Sequence, residues 1–217
     1  MMHFEILVED KSGEEMLNIL LPMIIGEQYS YKIHSYKGIG HIPKNLKSWV
    51  DANKRKLLNQ LPRLLRGYAN TYANYPSNFQ AVLVVICDLD NECLKTFRQE
   101  LFSVLNACKP KPETRFCIAI EEGEAWLLGD IAAIKKVYLN ANDKFLNGYQ
   151  NDAICGTWEL LADAIYVGGA KKLKNQPWYV IGQIKSEWAK QITPHIDIDR
   201  NKSPSFCYFR DKIRELI

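Results

Sequence analysis

The sequence predicts an α/β fold, a mostly parallel sheet flanked by helices and followed by a helical C-terminal extension. Three observations predict it. Residues 81–87 form an unbroken apolar run rich in β-branched side chains, the pattern of a strand buried on both faces, and such strands belong to parallel sheets covered by helices. Strand-like runs alternate with runs of helical period through the first part of the chain, after which the pattern turns helical. A length of 217 residues, 47 % of them apolar, suits one α/β domain with a substantial core.

Phe4 to Val8 reads as the first strand and runs into Glu9-Asp10. Ser12 is the expected N-cap of the next helix, with Glu15 completing a capping box, and the helix stops near Gly26. Residues 29–36 alternate as a second strand, and 37–43 form a glycine-containing loop. The apolar spacing over 46–68 is helical, with Pro62 expected to break or kink it. The buried strand 81–87 follows, then a helix over 91–107 with Leu94, Phe97, Leu101, Val104 and Leu105 on one face. Residues 115–120 form the fourth strand, which runs into a helix start at 121–130 and a further helix over 131–139. Helices are expected at 157–166, 180–192 and 205–216, with turns at Gly168-Gly169 and Asn175-Gln176-Pro177. The expected division is an α/β core over 1–140, with a helical insertion near 44–67, and an extension over 141–217 packed on it as one structural unit.

No stretch is long and apolar enough to span a membrane, and the N-terminus does not have the pattern of a secretory signal. The six cysteines are scattered without a C-x-x-C pair, which points to reduced thiols in a cytoplasmic protein. Net charge is only +3, but Lys44, Lys47, Lys54, Arg55, Lys56, Arg63 and Arg66 fall in one segment against Asp51 alone. A basic segment beside acidic stretches suits a polyanionic substrate, although a solvated helix face reads the same way.

Acidic clusters follow three of the predicted strands: Glu9-Asp10, then Asp88-Leu89-Asp90, then Glu121, Glu122 and Glu124. In a parallel sheet these strand ends share one edge, where open α/β sheets place their ligands. Asp88 and Asp90 are two apart, so an extended backbone would point both to the same side. Close carboxylates repel unless a cation or proton lies between them, and an all-oxygen set suits Mg²⁺ or Mn²⁺. A glutamate raised in pKa by such neighbours can serve as general acid or base, and bound metal would stabilise charge on the oxygens of a phosphodiester. Lys171, Lys172 and Lys174, with Lys185 in the following helix, and His195 are candidate phosphate contacts, with solvated lysines and a structural histidine as the plain alternatives. There is no P-loop, no complete G-x-G-x-x-G and no G-x-S-x-G elbow.

A glutamate after the first strand and D-x-D after the third resembles the Toprim domain, a Rossmannoid fold found in topoisomerases, primases and overcoming-lysogenization-defect nucleases. Over essentially its whole length the chain also resembles a family of small bacterial Toprim-like proteins of undefined function. The matching stretches are 8–12, 20–22, 64–69, 87–93, 118–126, 152–159 and 203–206 with Phe209-Arg210. The resemblance implies that Glu9 is the general acid/base and that Asp88 and Asp90 bind metal. It assigns Glu121, Glu122 and Glu124 to the family's own acidic cluster. Glu9-Asp10 stands where Toprim proteins often have Glu-Gly, and Glu92 where the family commonly has aspartate. The implied activity is Mg²⁺-dependent phosphodiester cleavage of nucleic acid, in phage defence or mobile-element biology beside a separate ATPase. Two other readings stay open. One is a phosphatase or phosphotransferase with a nucleophilic aspartate, the other a non-catalytic subunit that binds nucleic acid or protein.

Overall fold

A four-stranded parallel sheet organises the computed structural model, which describes residues 2–45, 52–153 and 155–217. Its strands are β1 (Met2–Val8), β2 (Ser30–Ser35), β3 (Gln80–Asp88) and β4 (Thr114–Ala119), in the order β2-β1-β3-β4. Every pairing is parallel, with Val8 in register with Ser35 on one side and Ile86 on the other. Alternation along the strands sorts their side chains into two cores. Phe4, Ile6, Val8, Val82, Val84, Ile86 and Cys117 face one way, and Leu7, Leu83, Val85, Phe116 and Ile118 the other.

Helix α1 (Lys11–Ile25) packs its Met16, Leu17, Leu20, Leu21 and Ile24 stripe on the first face. Its N-cap is Asp10, not Ser12: the Asp10 carboxylate accepts the Gly13 N–H at 2.8 Å and the Ser12 hydroxyl at 2.9 Å. Asp10 is the last extended residue, so its side chain reaches the first free N–H groups before Ser12 can. Glu15 closes no capping box and instead pairs with Lys11 at 3.4 Å and Lys190 at 3.5 Å.

The opposite face is covered by α2 (Leu57–Tyr72) and α3 (Leu94–Asn106). The helix expected over 46–68 therefore begins later and runs further, and residues 46–51 lie outside those described. Pro62 does not end it. It sits buried in the second turn, where one lost backbone bond is outweighed by burial of Leu57, Leu58, Leu61 and Leu65. Instead of standing as an insertion, α2 is the crossover from β2 to β3.

After β4 the chain is helical: α4 (Glu124–Leu128), α5 (Ile131–Val137), α6 (Asp143–Gly148), α7 (Thr157–Ile165), α8 (Gly169–Lys174), α9 (Trp178–Ile192) and α10 (Pro204–Arg214). These helices extend the α1-side core, where Trp126 stacks on Phe209 with ring centroids 4.9 Å apart. Polar clasps fix the join. The Asp152 carboxylate accepts the Ser203 hydroxyl at 2.8 Å and the Ser205 N–H at 2.6 Å, satisfying the start of α10. The Trp126 indole N–H donates to the Ser205 hydroxyl oxygen at 3.0 Å, and the Asn201 amide donates to the Trp126 carbonyl at 2.8 Å. No helix among the described residues is long and apolar enough to cross a membrane, and the six cysteines are free thiols.

Candidate active site

The chain leaves β1 for β2 on one side and returns past β1 to β3 on the other. The strand order therefore reverses between β1 and β3, the switch point beyond whose carboxyl ends open α/β sheets place their ligands. Glu9 follows β1 and Asp88 ends β3 at this point. The Asp88 backbone N–H donates to Glu9 Oε2 at 3.2 Å, which ties the two strand ends through the glutamate side chain. The backbone of Ile39 lies close enough to the same carboxylate to favour its charged form. Its loop is held because the Gly38 N–H donates to the Glu9 carbonyl at 3.0 Å, with Gly38 at φ 101°, a conformation open to glycine.

Glu9, Asp10, Asp88 and Glu124 line a cavity of about 30 Å³ floored by Gly13, Met16 and Trp126. Lys185, projecting from α9, enters the same cluster, with Nζ 3.1 Å from Glu124 Oε2 and 3.7 Å from Glu122 Oε2. Glu124 is only 3 % exposed, and Glu122 Oε2 is a buried oxygen with no hydrogen bond. Carboxyl groups outnumber this one lysine in the cluster. Burial, then the Asp90 and Asp10 charges, lift Glu9 to about 7 against the Asp88 bond and the Ile39 backbone. Burial and the Glu9 charge push Asp88 well up, with Lys185 pulling the other way. Burial lifts Glu122 to about 8 despite Lys185, with Glu124 and Glu121 adding to it. Burial disfavours the charge on Lys185, but Glu124, Glu122, Asp88 and Asp10 outweigh it and hold the ammonium protonated.

The donor chemistry, oxygen-only and under-neutralised, fits a hard divalent cation. Among the described residues, no three His, Cys, Asp or Glu side chains close on one point as a ready-made metal cage.

The expected site residues divide. Glu9, Asp88, Glu122 and Glu124 share the cluster around the cleft and Lys185. Asp90 does not extend from the strand beside Asp88. The strand ends at Asp88, Asp90 adopts φ 50°, and its N–H donates to the Glu121 carbonyl at 3.0 Å, leaving its side chain exposed at the rim. Partial burial and the Glu121 charge still raise its carboxyl. Glu121 is turned away from the cleft, and its carboxylate caps α7 by accepting the Thr157 N–H at 2.7 Å and the Gly156 N–H.

The basic segment is also split. Lys54, Arg55 and Lys56 are exposed beside the Glu9 loop, since the Lys37 N–H donates to the Arg55 carbonyl at 2.8 Å and the Leu57 N–H to the Gly38 carbonyl at 3.1 Å. Arg63 and Arg66 lie further along α2, with Arg66 close enough to act on Cys108 beyond the end of α3. His195 lines a different hollow with Asp130, Asn151 and Arg200. Lys171 and Lys172 are exposed on α8.

Tyr68 takes part in a separate, partly buried network. Its hydroxyl donates to Glu5 Oε1 at 3.0 Å in a network where His3 bonds Glu5 Oε2 at 3.1 Å and His34 bonds Oε1. Burial and Glu5 raise its phenol. No sequence pattern signals this network, because it joins β1, β2 and α2 across 63 residues. Asp10 lines the cleft beyond its capping role, a place signalled only by its adjacency to Glu9. Lys185, expected as a phosphate contact beside Lys171 and Lys172, is instead paired with Glu122 and Glu124, where the packing of α9 against α1 and α4 brings it.

No curated protein and no solved structure matches the chain. It is matched over residues 8–214, nearly its whole length, by one protein family, and it therefore belongs to the family described as Domain of unknown function (DUF4276).

Proposed function

We propose that the cleft binds Mg²⁺ or Mn²⁺ and hydrolyses phosphodiester bonds of nucleic acid, as a Toprim-type nuclease. The observation that carries this reading is the union of Glu9 and Asp88 at the switch point of the sheet, with Glu9 lifted to about 7. The order of Glu9 and Asp88-x-Asp90, which resembles the Toprim arrangement, supports it. The lack of a closed cage among the described residues is compatible with it, since magnesium is held by one or two carboxylates together with water and substrate phosphate.

Bound metal would polarise the phosphoryl group and neutralise developing charge. Asp88 and the rim carboxylate of Asp90 would hold it. Glu9, whose carboxyl burial lifts above the ordinary range, would take the proton of the attacking water or return one to the leaving oxygen. Lys185 keeps Glu122 and Glu124 in place and offers positive charge to the phosphate side. Lys54, Arg55 and Lys56 stand at the mouth to meet a polyanion. The setting proposed with this activity, on the Toprim-like resemblance alone, is phage defence or mobile-element biology with a separate ATPase.

Two variants separate the two roles. Glu9→Gln is expected to slow turnover far more than it weakens Mn²⁺ binding, and Asp88→Ala to weaken both. Equal loss of both in Glu9→Gln would reassign Glu9 as a ligand. One observation favours a second reading, a non-catalytic binding subunit: Lys185 already supplies a cation inside the carboxylate cluster. Tight nucleic-acid binding without metal-dependent turnover would select that reading.

A further inference from the structure

We propose that the first turn of α9, with α8 beside it, is a landing site for single-stranded nucleic acid that leads along one face of α9 to the carboxylate cleft. Resting on the phosphodiester reading above, this names its substrate class. Trp178 is 84 % exposed and its neighbour Tyr179 59 %, with ring centroids 6.0 Å apart and planes nearly perpendicular. Trp126 and Trp188, by contrast, are packed in the core. Lys171 and Lys172 stand exposed on the adjoining α8, whereas Lys174 is engaged by Glu159 and lies over Trp158. Exposed rings joined to lysines are the combination that holds single strands, the rings stacking on bases and the ammonium groups meeting phosphates.

The same helix connects this patch to the cleft. Trp178 and Lys185 are seven residues apart, close to two turns, so they share a face about 10 Å apart along the axis. Gly182 lies between them on that face, and a Cβ placed there would meet nothing within 4 Å. A strand can therefore lie close to the helix backbone and reach Lys185, whose Nζ is 3.1 Å from Glu124 in the cluster. A duplex hides the faces of its bases within the stack, so the rings select single strands. An aromatic and lysine patch also suits a lipid headgroup layer. Here the face runs on past Gly182 to Lys185, a cation for a following phosphate, rather than into an apolar stripe, and that favours the nucleic acid.

The experiment is fluorescence anisotropy of a labelled oligothymidylate with the full chain, in chelator so that no turnover is involved. Circular dichroism verifies the fold of Trp178→Ala and of the Lys171→Ala/Lys172→Ala pair. The wild type is expected to prefer the single strand over a duplex of equal length. Trp178→Ala should bind about 10-fold more weakly, and the lysine pair should flatten the dependence on salt. Equal affinity of wild type and Trp178→Ala would overturn the site. So would Trp178-dependent partition onto phosphatidylglycerol vesicles without oligonucleotide binding. Metal-dependent cleavage that Asp88→Ala abolishes and Trp178→Ala leaves unchanged would remove this site and keep the phosphodiester reading. Trp178-dependent binding with no cleavage in any metal would keep this site and count against that reading.

Discussion

Glu121 and Glu124 are three residues apart and read alike in sequence, yet they have different roles. Glu124 faces Lys185 in the cleft, whereas Glu121 is bound by the backbone of α7. The difference is conformational. Glu121 sits at φ 62°, which turns its side chain toward Gly156 and Thr157, and no pattern of acidic residues reveals a backbone angle. Glu121→Ala would leave the α7 N–H groups without their charged acceptor, at a cost of about 2 kcal/mol measured by urea unfolding. Mn²⁺ affinity should stay close to wild type. Loss of Mn²⁺ binding with unchanged stability would instead make Glu121 a ligand. Asp88 and Glu9 were legible because apolar strand ends are easily located. The turn of Asp90 away from the strand was not, since D-x-D carries no information on where the strand stops.

At the scale of elements, period and alternation located the four strands, α1, α3 and the long C-terminal helices. They failed where tertiary burial overrides a local signal. Pro62 is carried inside α2 by the apolar stripe around it, and short α6 and α8 lack enough turns to show a period. The seam between sheet and extension was also hidden, because it depends on Asp152 reaching α10 across 51 residues. That clasp is testable. Asp152→Ala leaves the Ser205 N–H without its acceptor beside the packed Trp126, and should cost about 2 kcal/mol. Protease sensitivity should rise first at α10, read by limited proteolysis with mass spectrometry. Uniform loss across the chain, with no early cut near α10, would show that the clasp is not what seats this helix.

For the whole molecule, the cleft stores unfavourable charge. Folding raises Glu9 from 4.5 to about 7 and Glu122 from 4.5 to about 8, so both bind protons more tightly when folded. Their contribution to stability is fully present below about 4.5 and is lost as pH rises through about 7 and 8. Lys185 is raised above 10.5, so its contribution persists through this window. Glu14, held low by Ser35 and Lys11 against the cost of burial, loses its contribution only as pH falls below its ordinary range. The Tm of metal-free protein should therefore fall between about pH 5 and pH 8, and Mn²⁺ should restore it most at the upper end. A Tm that rises over that window would mean that the carboxylates are already compensated. The most direct test of phosphodiester chemistry at this cleft is cleavage of labelled single-stranded DNA and RNA by wild type and Asp88→Ala, in Mn²⁺ and in chelator. Products are expected only from the wild type in metal, with Asp88→Ala folded and inactive. Equal cleavage by the two proteins, or none from folded wild type in metal, would contradict phosphodiester chemistry at Glu9 and Asp88.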